Sequence, residues 1–298
     1  MSTARQTRAL VLVLTLGLGA CSSASQLLEG VTGEKDTKLP GQREAILSTS
    51  QVPVTSTAAA TDPVVVPAAV DNSSWLQPGG SASNAPGNLA AGATLARAWS
   101  VNAGEGSSST GRLVASPIVV GGTVYVLDAK SRVNAVTSGG SRAWSVSLVP
   151  GKADPDGVIG GGLASDGTRI YATTGFGEAI ALDARTGTIA WRKKLNVSLR
   201  AAPTVHDGVM YFTGIANEVF ALRTSDGSEI WRTEGTGQRV SIIGSTSPAV
   251  ARDVVVVPTT TGDVMAYNVQ DGFPTWADSL ASSDPVTASA NIGAVGGR

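Results

Sequence analysis

Five of the chain's six tryptophans, Trp99, Trp144, Trp191, Trp231 and Trp276, recur at intervals of 45, 47, 40 and 45 residues. The last four each close a Gly-x-x-x-Trp phrase, opened by Gly140, Gly187, Gly227 and Gly272. A period of 40 to 50 residues means one supersecondary unit stacked on copies of itself. Within each interval lie four short β-rich runs. In the third unit they are Ala202-Pro203-Thr204-Val205, Val209-Met210-Tyr211-Phe212, Glu218-Val219-Phe220-Ala221-Leu222 and the run ending at Trp231. Alternating apolar residues with turn signals every 8–12 residues mark antiparallel strands. Asp207-Gly208, Asp226-Gly227 and Asp271-Gly272 are the turns, where glycine takes the positive φ that a side chain resists. No stretch after residue 95 carries a 3.6-residue period. The expectation is an all-β propeller of four-stranded antiparallel blades. Each tryptophan would lie over the glycine turn of the adjacent blade, where burying ~200 Å² stabilises by about 5 kcal/mol.

The front of the chain is of a different kind. Arg5 and Arg8 precede an apolar run over residues 9–20, then Cys21. The run is shorter than the roughly 20 residues that a membrane span needs and fits a secretory signal. Leu18-Gly19-Ala20-Cys21 resembles the lipobox of bacterial lipoproteins, so residues 1–20 are expected to be removed and Cys21 lipidated. That resemblance, with Ser22 following, implies the outer membrane. Cys21 is the sole cysteine, which leaves no intramolecular disulfide, paired-thiol redox chemistry or cysteine-based metal site. Residues 21–92 are dominated by Ser, Thr, Ala, Pro and Val and read as an extended tether, with the propeller over residues 93–298.

Charge and motif content exclude several kinds of chemistry. Loss of Arg5 and Arg8 takes the net charge from −1 to −3, with no basic patch to bind nucleic acid. His206, the sole histidine, sits beside a turn, where a solvated side chain is the expectation rather than a catalytic base. Gly106 and Gly111 have phosphate-loop spacing, but Arg112-Leu113 follows where Lys-Ser/Thr is needed. Gly175-Phe176-Gly177 precedes a strand and reads as a turn. Asp154-Pro155-Asp156-Gly157 offers too few carboxylates for calcium and reads as a turn as well. Arg192-Lys193-Lys194 is expected to decorate a solvated outer strand. Catalytic, cofactor and metal sites are all expected to be absent.

Residues 181–191 (ALDARTGTIAW) and 221–231 (ALRTSDGSEIW) resemble the repeat of pyrroloquinoline-quinone-like propellers. Together with the lipobox, Leu39-Pro40-Gly41 and residues 160–177, they make the chain similar to the BamB family of outer-membrane assembly lipoproteins, in its α-proteobacterial form. The resemblance implies an eight-bladed, non-enzymatic propeller. Its partners would be the periplasmic domains of the barrel insertase BamA and nascent outer-membrane proteins, with the membrane reached only through the lipid. The family's Leu-x-Leu-Arg contact falls on Val197-Ser198-Leu199-Arg200, with Val197 a departure. The resemblance thus assigns partner binding to Val197, Leu199 and Arg200, and Leu199→Ala or Arg200→Ala is expected to weaken it without unfolding the chain. A second family contact uses two aspartates where Ile243 and Ser245 stand here. Four complete units are present of the eight implied, so the expectation is a truncated product or a ring completed by a second copy. The alternatives are a generic binding propeller of the same compartment and a quinoprotein dehydrogenase, which the lone cysteine disfavours.

Overall fold

The computed structural model describes residues 65–92, 94–235 and 246–280, and Cys21, Ile243 and Ser245 lie outside them. Among the described residues, sixteen strands form four antiparallel four-stranded sheets, each a meander taken in chain order. Blade one is β1 (Ile118–Val120), β2 (Thr123–Leu127), β3 (Arg132–Val136) and β4 (Arg142–Ser147). Blade two is β5 (Gly161–Ser165), β6 (Arg169–Thr174), β7 (Glu178–Asp183) and β8 (Ile189–Lys194). Blade three is β9 (Thr204–His206), β10 (Val209–Thr213), β11 (Val219–Arg223) and β12 (Glu229–Arg232). Blade four is β13 (Ala249–Ala251), β14 (Val254–Pro258), β15 (Asp263–Asn268) and β16 (Pro274–Ser279). The described residues contain no helix and form four blades of an all-β propeller-like fold.

Hydrophobic cores lie between blades rather than within them. Alternation along a strand sends successive side chains to opposite faces, so a middle strand serves two interfaces. On β7, Ile180 and Leu182 join Tyr125, Leu127 and Val133 of blade one, while Ala179 and Ala181 join Met210 and Phe212 of blade three. On β11, Phe220 and Leu222 face blade two, while Val219 and Ala221 face Val255 and Val257 of blade four. Phe212 and Phe220 are cross-strand partners whose rings stack at 5.3 Å. Both faces of a middle blade are therefore covered, and β6 and β7 are buried along nearly their whole length.

Every blade breaks register at the same place. The ladder between third and fourth strands shifts after Ala135, Ala181, Ala221 and Ala266, which stand opposite Trp144, Trp191, Trp231 and Trp276. An extra residue here sharpens the right-handed twist and turns the outer strand away from its neighbours. The small alanine opposite leaves room for the indole.

The first strands β1, β5, β9 and β13 are the inner edges of their sheets and neighbour one another in succession. Here the structure corrects the expectation of an extended tether through residue 92. The compact unit begins at Val65, and residues 75–84 lie across all four inner strands. A low apolar content gives these residues little core of their own, but free strand edges reward backbone pairing whatever the side chain.

Candidate functional site

The periodic tryptophans form inter-blade joints. A methyl placed on Gly187 would stand 2.8 Å from the ring of Trp144, one on Gly227 2.8 Å from Trp191, and one on Gly272 2.5 Å from Trp231. Gly140 receives Trp99 in the same way at 3.3 Å. Each of these glycines has φ between 71° and 80°, so the turn needs a residue with neither a Cβ clash nor a left-handed penalty. The indole N–H groups of Trp144, Trp191 and Trp231 each donate to a carbonyl three residues before that glycine, on Ala184, Thr224 and Val269, all at 2.9 Å. Tyr125, Tyr171 and Tyr211 pack against these rings at 5.7–6.2 Å. Burial pushes the Tyr171 and Tyr211 phenols up to about 12, and a hydrogen bond from the Tyr171 hydroxyl to Asp166 (2.7 Å) adds to its shift. Burial pushes the Asp166 carboxyl up. Hydrogen bonds from Tyr171, from the Arg169 and Thr168 amides and from the Thr168 hydroxyl outweigh it and hold the group below the usual carboxylate range.

The rim loop between β8 and β9 carries the three residues assigned to partner binding. The Leu195 amide donates to Gly177 (2.9 Å) and the Ile215 amide to Ser198 (3.0 Å), tying the loop to the hairpin turns of blades two and three. Leu199 bridges to Gly214 and is fully buried, packed with Ala164, Tyr171 and Phe212. The expectation for Leu199 is corrected: its side chain belongs to the core and presents nothing to a partner. Arg200, next in the chain, is half-buried, with its Nε enclosed. The Arg200 stem lies over Gly160, whose substituent would meet it at 3.2 Å, and Val197 is half-buried against the same core.

Other sequence candidates resolve structurally. His206 ends β9 with Nε2 3.4 Å from Asp207, whose φ of 46° and that of Gly208 (77°) form a two-residue hairpin turn. Residues 154–157 form a turn closed by Asp154 on the Asp156 amide, and Asp156 pairs with Lys130. Arg192 lies exposed on the outer strand, as expected, and also reaches inward with its guanidinium. Its Nη1 donates to buried Glu178 at 2.5 Å and to the Leu148 carbonyl at 3.1 Å, joining blades one and two. Among the described residues no group of three or more His, Cys, Asp or Glu side chains converges to hold a metal ion.

The sequence reading passed over the contact across the inner strand edges. Trp75 and Val119 exchange both backbone hydrogen bonds (2.7 and 2.8 Å), and the Ser165 amide donates to the Leu76 carbonyl (2.8 Å). Buried Gln77 donates from Nε2 to the Val205 carbonyl and accepts the Val205 amide on Oε1, each at 2.9 Å. The Val250 amide donates to the Ala82 carbonyl (2.7 Å). The available signal was Trp75, the one tryptophan off the grid, standing in a stretch otherwise poor in large residues.

A family model described as "Outer membrane protein assembly factor BamB" matches residues 129–298. The chain belongs to the BamB family. An uncharacterised protein of Rickettsia prowazekii is 29% identical over 188 residues, which cover 62% of this chain and 45% of that one. BamB of Yersinia pestis is 25% identical over 190 residues, covering 62% and 48%. This BamB-family chain thus spans about half the length of the curated relatives it matches. Among solved structures, BamB from Moraxella catarrhalis aligns with a TM-score of 0.49 at 21% identity, over 61% of this chain and 53% of that one. The quinohemoprotein alcohol dehydrogenase of Comamonas testosteroni aligns with a TM-score of 0.56 at 20% identity, over 71% and 42%, a likeness of fold.

Proposed function

We propose that this chain is a non-enzymatic scaffold of outer-membrane β-barrel assembly, held at the periplasmic face of the outer membrane by a lipid on Cys21. The observation that carries the reading is the family match over residues 129–298, which takes in every blade joint from Gly140 onward. In this reading residues 1–20 are the signal, and the chain between Cys21 and the blades spans the distance from the lipid. The rim loop docks on the periplasmic domains of a BamA-type insertase through Arg200 and the half-buried Val197. Nascent outer-membrane proteins are the substrates served.

The test uses the full chain carrying a C-terminal tag, purified from detergent-solubilised membranes. The insertase should co-purify, and Arg200→Ala should reduce its recovery several-fold while the chain keeps its β-sheet circular dichroism. Cys21→Ser should move the chain from the membrane to the soluble periplasmic fraction. A folded, membrane-bound chain that recovers no insertase rejects the reading. Quinone absorbance in such a preparation would favour the dehydrogenase alternative.

A further inference from the structure

We propose that the four inner strand edges form a binding site for an extended peptide, and that the chain's own residues 75–84 occupy it in cis. This does not rest on the assembly role proposed above. Free strand edges present rows of unpaired backbone groups, and an added extended segment pairs with them whatever its sequence. Residues 75–84 do this with their backbone on β1, β5 and β13 and with the Gln77 side chain on β9, through six hydrogen bonds to backbone atoms of Val119, Ser165, Val205 and Val250.

Two features set this segment apart from the core it touches. Its large side chains are not part of the three inter-blade clusters. Trp75 and Leu76 are only half-buried and take no place in them, and Ala82 alone packs at the margin of one. The loop is also closed on itself. Val70 bridges to Leu89, with the Val70 amide on the Asn88 carbonyl (3.0 Å) and the Ala90 amide on the Val70 carbonyl (2.9 Å). It is a discrete module seated on preformed edges.

The contacts define the ligand. It is uncharged and extended at its start, with an aromatic residue at the β1 edge and a carboxamide two positions on, where the chain enters two successive turns. The carboxamide reproduces a strand's donor and acceptor on Val205, and the Gln77–Gly80 turn (2.8 Å) then carries the chain on to β13.

The experiment replaces residues 74–84 of the full chain by glycine and serine and follows fluorescence anisotropy of a labelled synthetic peptide with the sequence of residues 74–84. The replaced chain should bind saturably and the intact chain should not. A peptide with alanine at the position of Gln77 should bind about tenfold more weakly, because both Val205 groups lose their partner. A replaced chain that keeps its β-sheet circular dichroism and does not bind overturns the proposal. For the case in which the replaced chain does not fold, a protease site is built into the exposed residues 90–92, and the natural segment is cut after folding. Labelled peptide should then exchange into the nicked chain and release the natural segment. A nicked chain that takes up no label under excess peptide overturns the proposal equally.

Discussion

Leu199 shows how much a single residue's role depends on the fold around it. In sequence it stands beside Arg200 in a rim loop, and nothing local separates a contact residue from a core residue. In the structure it is fully buried beneath the blade-three hairpin turn, bridged to Gly214. Leu199→Ala should therefore cost about 2–5 kcal/mol, read as a lower urea midpoint with an unchanged slope. Arg200→Ala should lower that midpoint less, because Arg200 is only half-buried where Leu199 is fully buried, and equal losses for the two variants would contradict that difference. Gln77 was hidden for a different reason. Its partner is the backbone of Val205, 128 residues away, and a backbone group leaves no mark in the sequence that could be matched to a side chain. Glu178 and Arg192 are 14 residues apart on adjacent strands, and a charged pair there reads as surface, although Glu178 is buried and Arg192 alone reaches solvent.

At the scale of the blade, the sequence was much more informative. Strand, turn and joint all fall inside one period, so the tryptophan grid carries both the blade count and the pairing of each indole with the next blade's glycine. The strands found in the structure follow the expected runs closely, because each blade is a local meander with no long connection to misplace. Joints differ in depth, however. Trp231 is 7% exposed with Gly272 beneath it, whereas Trp276 is 47% exposed on a strand exposed at every position. Trp231→Ala should cost about 3–5 kcal/mol, and Trp276→Ala less than about 1 kcal/mol. Thermal unfolding of the two variants side by side measures the difference, and a comparable loss in both would mean that Trp276 is covered by some other part of the molecule.

For the whole molecule, the four tyrosines, one in each blade, offer a single reporter of packing. Burial raises the phenols of Tyr125, Tyr171, Tyr211 and Tyr267 alike, with Tyr171 and Tyr211 reaching about 12. The folded state therefore holds these protons more tightly than the unfolded chain, whose phenols titrate near 10.0. This contribution to stability is complete below about pH 10 and is lost as the pH rises toward about 12. An ultraviolet titration should show little tyrosinate near pH 10, then a cooperative rise accompanied by loss of β-sheet circular dichroism. Independent, non-cooperative ionisation near pH 10 would show that the inter-blade faces are open to water.

The segment across the inner edges also sets an order of events. Synthesis delivers residues 75–84 before any strand they pair with, yet their last partner is Val250. Meanders close through contacts a few residues apart, while the segment must span separations of well over a hundred, and such distant contacts form slowly. A chain refolding from denaturant is therefore expected to complete its sheets first and to lay residues 75–84 across them at the end, so the seam closes after the blades.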